Sequence, residues 1–166
     1  ILQMGFMILL SPLWSGVTDA YNSGDISWIK NAVKKYLLIW VPFVLLGLTM
    51  LLFADKFYEL WVGKNVVSVD FNISLLCLIY FSTSIFGSIF VYIINGIGAL
   101  KIQFVSGFIS SVCFLILTWV LITKLHWGVK SVLIASIVTN LFGYVVAPLQ
   151  IYKIFYKKSA AKIWYA

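Results

Sequence analysis

The 166-residue chain has no arginine, one histidine and five acidic residues, and charged residues of all kinds make up 10% of it. A soluble domain carries roughly a quarter charged residues, so a soluble globular class is excluded. The one histidine, His126, has no cysteine or acid nearby at metal-ligand spacing, so no metal site is expected. With so few loop acids, and His126 apart from them, neither an enzyme nor a cofactor-dependent activity is expected. Cys77 and Cys113 both lie inside apolar runs, which argues against a disulfide framework. No span carries a charge at its centre, so no proton- or sodium-relay carboxylate is expected within these helices. No cleavable signal is recognisable at Ile1 either. Ile1 opens inside a hydrophobic run, and the expectation is a fragment of a longer protein with upstream spans lacking.

What remains is apolar and aromatic. Hydrophobic residues make up 63% and aromatics 17%, with seven tryptophans. Mean hydropathy is +1.05. That is an integral membrane chain with two interfaces to anchor. Twelve lysines against five acids give a net charge of +7. The lysines sit in loops and at the tail, which fits lipid headgroups and positive-inside topology rather than nucleic acid.

A bilayer requires about 20 apolar residues per helix. Five spans are predicted, at about 1–21, 36–53, 71–95, 102–122 and 129–151, with a basic interfacial lead-in before the second. Residues 1–152 form the bundle and 153–166 a basic tail. The in–out alternation of a β-barrel is absent. The fold class is an all-α, polytopic membrane bundle. Lysines on alternate sides count eight (30, 34, 35, 101, 153, 157, 158, 162) against four (56, 64, 124, 130). The first side, with the C-terminus, is therefore expected in the cytoplasm. The loop Ala54–Asp70, with Tyr58 and Trp61, is expected to be an aromatic anchor and connector.

Polar and small residues recur at helical spacing within the spans. The first span carries Ser11, Ser15, Thr18, Asp19 and Asn22, and the fifth Ser136, Asn140, Gly143, Ala147 and Gln150. The fourth carries Gln103, Ser106, Gly107, Ser110 and Ser111, and the third Thr83, Ser84, Gly87 and Ser88 with Asn95 beyond. Close helix packing and a polar transport cavity both explain such stripes. Packing is favoured for the third span, and both readings stay open for the first and fifth. The candidate cavity residues are Ser11, Ser15, Asn95, Gln103, Ser136, Asn140 and Gln150.

The most informative stretch opens with Ser11-Pro12-Leu13-Trp14-Ser15 and runs on to Trp28. Pro12 should kink the first helix. Asp19 stands near the negative helix end, where it should seek water or a cation such as Lys30, Lys34 or Lys35. Gly24 suits a helix end and Asp25 the next N-cap, so these residues form a structural elbow. From Ile26 a basic amphipathic helix begins, with Lys30, Lys34 and Lys35 as candidate lipid-phosphate contacts.

Residues Ser11–Ser15, Thr18-Asp19-Ala20, Gly24-Asp25 and Trp28-Ile29 resemble the C-terminal lobe of bacterial polysaccharide-biosynthesis flippases. These belong to the multidrug/oligosaccharidyl-lipid/polysaccharide exporter superfamily. The resemblance extends through Ala54–Gly63 and is vaguer around Asn95-Gly96-Ile97-Gly98. It implies a two-lobed, MATE-like transporter working by alternating access, here without its N-terminal lobe. The implied cargo is an undecaprenyl-diphosphate-linked oligosaccharide, moved to the outer leaflet of the bacterial inner membrane for O-antigen, capsule or exopolysaccharide assembly. Expected partners are membrane lipids, that lipid-linked glycan and the missing lobe. The alternatives are a cation-coupled multidrug antiporter of the same fold and, more distantly, a membrane glycosyltransferase.

Overall fold

The computed structural model describes residues 1–63, 70–157 and 164. Lys64, Lys158 and Lys162 of the charge count, with most of the tail, lie outside the described residues. The described chain is all helical: α1 (Leu2–Asn22), α2 (Ile26–Leu52), α3 (Ala54–Val62), α4 (Phe71–Ile97), α5 (Lys101–Thr123) and α6 (Val129–Thr139). A π-helical turn (Phe142–Val146) then leads into α7 (Ala147–Phe155). Four stretches are long and apolar enough to cross a membrane: 26–52, 71–97, 101–123 and 129–155. The protein is thus a helical, multi-pass membrane bundle. α1 is the exception. Its 21 residues suffice in length, but Gln3, Ser11, Ser15, Thr18, Asp19 and Asn22 dilute its apolar character.

Three boundaries differ from those read in the sequence. α2 begins at Ile26 rather than near residue 36, because the basic lead-in and the span form one uninterrupted helix capped by Asp25. The connector after Phe53 opens with nine helical residues, α3, which the hydroxyl of Tyr58 ties to Ser74 of α4 at 2.9 Å. The last span is broken where the α-helical ladder fails. There the Gly143 N–H bonds the Asn140 carbonyl three residues back, and the Ala147 N–H bonds Phe142 five back. Pro148, which has no N–H to continue the ladder, comes immediately after.

α4 is the centre of the bundle. It packs against α1 and α2 on one side and against α6, the π turn and α7 on the other, whereas α5 leans on α6 and the π turn. The buried stripe of α1 is Phe6, Leu10, Leu13, Val17 and Ala20, at steps of three and four. It meets Ile85, Ile89, Ile93 and Ile94 of α4 in one core. Trp40 of α2 donates from Nε1 to the Ser82 carbonyl at 3.0 Å and meets Phe86 edge-on. Glycine allows the closest approaches. A methyl at Gly87 would stand 2.7 Å from the carbonyl carbon of Gly143, and one at Gly96 2.6 Å from Val17. In α5, by contrast, only Leu121 is buried.

At one end of the bundle Lys130, at the start of α6, pairs with Asp70, the N-cap of α4. The ammonium of Lys130, then the Asn72 N–H, hold the Asp70 carboxyl below the usual carboxylate range. A depressed folded value means that this pairing stabilises above the ordinary carboxylate pKa and is lost as pH falls through the folded value. Asp70→Asn should lower the thermal midpoint in detergent at neutral pH. The gap to wild type should close in acid, below the ordinary carboxylate range. A gap that is independent of pH would contradict the pairing.

Backbone contact at Gly87 leads to a second expectation. Gly87→Ala should cost about 1–3 kcal/mol, because the atoms it meets belong to backbone and not to a flexible side chain. Gly107→Ala, with nothing within 4 Å, should leave the unfolding midpoint unchanged or raise it.

Candidate functional site

The α1–α2 elbow is built by local chemistry. α1 ends in a Schellman turn: Gly24 has φ of +77°, Asp25 N–H bonds the Ala20 carbonyl at 2.8 Å, and Gly24 N–H bonds Tyr21 at 3.2 Å. Asp25 then caps α2, accepting from the Ser27 hydroxyl at 2.6 Å and the Trp28 N–H at 3.0 Å. Those two donors, the hydroxyl first, hold its carboxyl below the ordinary value. α4 ends in the same way at Gly98, φ +75°, with Ala99 N–H on Ile94 and Gly98 N–H on Asn95.

Pro12 removes the N–H that would have bonded the Ile8 carbonyl. The Ser11 hydroxyl bonds that carbonyl instead, at 2.9 Å. The next carbonyl, Leu9, accepts from the hydroxyl of Tyr36 on α2, also at 2.9 Å. The proline is therefore stitched from within its own helix and from its neighbour. Below it, the indole of Trp28 lies on Gly16, where a methyl would stand 2.7 Å from the ring. These contacts leave a groove of about 430 Å³ between Pro12 and Leu13 of α1 and the face of α2 carrying Trp28, Asn31, Lys34 and Lys35.

The structure separates the three elbow lysines. Lys30 turns the other way, with its ammonium 4.7 Å from the ring centre of Tyr156 beyond α7, while Lys34 and Lys35 border the groove. Asp19 is exposed and pairs with none of them. Among the described residues the ion pair is Lys130–Asp70. Lys30 is drawn to the Tyr156 ring, and Lys34 and Lys35 lie further along α2 beside Pro12.

The seven candidate cavity residues are not gathered into one cavity among the described residues. Ser11 and Ser15 lie on the exposed face of α1, with hydroxyls bonded to the carbonyls of Ile8 and Pro12. Asn95 and Gln103 are half-buried near the α4–α5 turn, and Oε1 of Gln103 has no partner. Ser136 bonds back to Val132 at 2.8 Å, and Asn140 folds its side chain over Gly143. Gln150 is fully buried. Its Nε2 lies 3.0 Å from both the Ala99 and the Trp164 carbonyls, so it ties α7 to the α4–α5 turn and to the tail.

Two other grooves have no local signature in the sequence. One, about 550 Å³, is bordered by Gln3, Met50, Tyr58, Trp61 and Cys77 at the α3 end. The other, about 530 Å³, separates α5 from α6 and the π turn beside Ser106, Ser110, Cys113 and Thr139. Signals for the elbow contacts are present in Gly16, in Tyr36 and in the Pro12-Ser11 neighbourhood, but nothing local pairs residues 27 positions apart.

Gln150→Leu should lower the thermal midpoint, since it leaves two carbonyls without their donor, at a cost of about 1–3 kcal/mol. An unchanged midpoint would show that the amide carries no stability. No protein-family model, curated protein or solved structure matches this chain.

Proposed function

We propose that this chain is one lobe of a membrane transporter that moves a polyprenyl-diphosphate-linked oligosaccharide from the cytoplasmic to the outer leaflet. One observation carries the reading. The polar residues Ser11, Ser15, Asp19 and Asn22 of α1 are all exposed, on the side turned away from α4. The two serines alone would fit lipid, their hydroxyls being bonded within the helix. The exposed carboxylate of Asp19 and amide of Asn22 on the same face are poorly suited to lipid tails and suit a hydrated cavity shared with a second lobe. In this reading α1 is a fifth span, and its low hydropathy results from having water on one face. The flippase resemblance of residues 11–29 points the same way.

The carrier's tail remains in the bilayer while its sugar and diphosphate cross about 30 Å of hydrocarbon along a polar wall. Rocking of two lobes supplies access to each side in turn. The lysine-rich end, with the Gly24 and Gly98 turns and the tail, lies in the cytoplasm of a bacterial cell. None of the five acids lies in the middle of a span: Asp19 is in the last turn of α1, Asp25 and Asp70 are N-caps, and Asp55 and Glu59 belong to the short α3. That distribution favours lipid-linked glycan over the cation-coupled drug antiporter of the same fold.

The test uses full-length protein in cells, with Cys77 and Cys113 replaced by serine. Ser15→Cys should react with a membrane-impermeant maleimide added to inverted vesicles, while Leu45→Cys on the exposed apolar face of α2 should not. Ser15→Trp should reduce delivery of glycan to the outer leaflet at unchanged protein level. An unreactive Cys at 15, or full delivery with Trp there, would remove α1 from the cavity wall.

A further inference from the structure

The groove at the elbow has a chemistry of its own. Its rim carries Lys34, Lys35, Asn31 and Trp28, its floor is Pro12 with Leu13, and no acid lines it among the described residues. Among the same residues neither lysine makes an ion pair or a hydrogen bond, whereas Lys130 is engaged by Asp70 and Lys30 by Tyr156. Two positive charges therefore border one concave surface, with nothing from this bundle to offset them.

Depth decides what offsets them. α2 has 27 residues, and at 1.5 Å per residue such a helix is ~40 Å long, against a hydrocarbon core of ~30 Å. With α2 upright and the excess at its lysine-bearing end, about seven residues lie at headgroup level, which brings Lys34 and Lys35, eight and nine positions after Ile26, to the boundary between headgroups and tails. The anions found at that depth are lipid phosphates. The surroundings suit one: Trp28 is an interfacial residue with its indole packed on Gly16, and Leu38, 72% exposed, continues the groove toward the tails. Asn31 adds an amide on the same face.

We propose that this groove binds the phosphate of an anionic glycerophospholipid, clamped between the ammonium groups of Lys34 and Lys35, with one acyl chain running past Leu38. Lys30 takes no part. The site requires only that the bundle lie in a membrane, so it stands or falls apart from the transporter reading.

Purified protein in non-ionic detergent, titrated with phosphatidylglycerol or phosphatidylcholine and followed by native mass spectrometry, tests this. Wild type should bind phosphatidylglycerol more tightly than phosphatidylcholine. The double variant Lys34→Gln/Lys35→Gln should lose on the order of tenfold in affinity for phosphatidylglycerol, from the contribution that each lysine makes beside an anionic headgroup. Lys101→Gln/Lys124→Gln, the same charge change elsewhere, should not. Asn31→Trp, at an exposed position, should weaken binding with both lysines intact, and it decides the matter if the double variant fails to fold. Excess inorganic phosphate should not displace the lipid, whose chain adds contacts a free anion lacks. Equal binding by wild type and Asn31→Trp, equal affinity for the two lipids, or displacement by inorganic phosphate would each overturn the proposal.

Discussion

Within hydrocarbon no water is available to a backbone carbonyl, and this constraint shapes the protein more than any single contact does. Each place where the helical ladder fails is repaired from nearby. At Pro12 the substitutes are the hydroxyls of Ser11 and Tyr36. At the π turn the Tyr144 hydroxyl bonds the Ile137 carbonyl at 2.9 Å. At the ends of α1 and α4 the repair is a left-handed glycine with its paired N–H groups. Irregularity is tolerated only where a donor stands ready, so Pro12, the π turn and the elbow each belong to a fixed set of partners.

The same constraint explains why polar spacing is an ambiguous guide. Thr49, Ser82, Thr83, Ser88, Ser111, Thr123, Ser136 and Thr139 all bond a carbonyl four residues back in their own helix. A hydroxyl satisfied in this way asks nothing of its surroundings. Periodic serine and threonine therefore fit a lipid face, a helix contact or a cavity wall equally well. What separates the cases is exposure, which is set by packing. Gly87 and Gly96 are the clearer signals, because their missing side chains coincide with backbone approaches that nothing larger permits.

The helices themselves are legible because long apolar runs and capping residues act locally. Asp25, Gly24 and Gly98 mark their boundaries by local chemistry alone. The start of α2 is less so, for an instructive reason: a change from amphipathic to uniformly apolar character alters what a helix faces without ending it. The site is harder to read still. Gln150, a polar group large enough to meet cargo, is instead buried against Ala99 and Trp164. The three lysines at 30, 34 and 35 belong to one basic run but have different neighbours, Tyr156 for Lys30 and the groove beside Pro12 for Lys34 and Lys35, and only the packing reveals it.

The central place of α4 also bears on how the chain assembles as it is made. The stripe from Phe6 to Ala20 on α1 is covered chiefly by α4, which is complete only at Ile97. Until then the α1–α2 pair lacks the helix that covers this ridge, and α1 is not among the helices apolar enough to cross a membrane by composition. The Pro12 stitch and the Trp28–Gly16 contact join α1 to α2 without involving α4. They are the contacts open to this hairpin before α4 is complete.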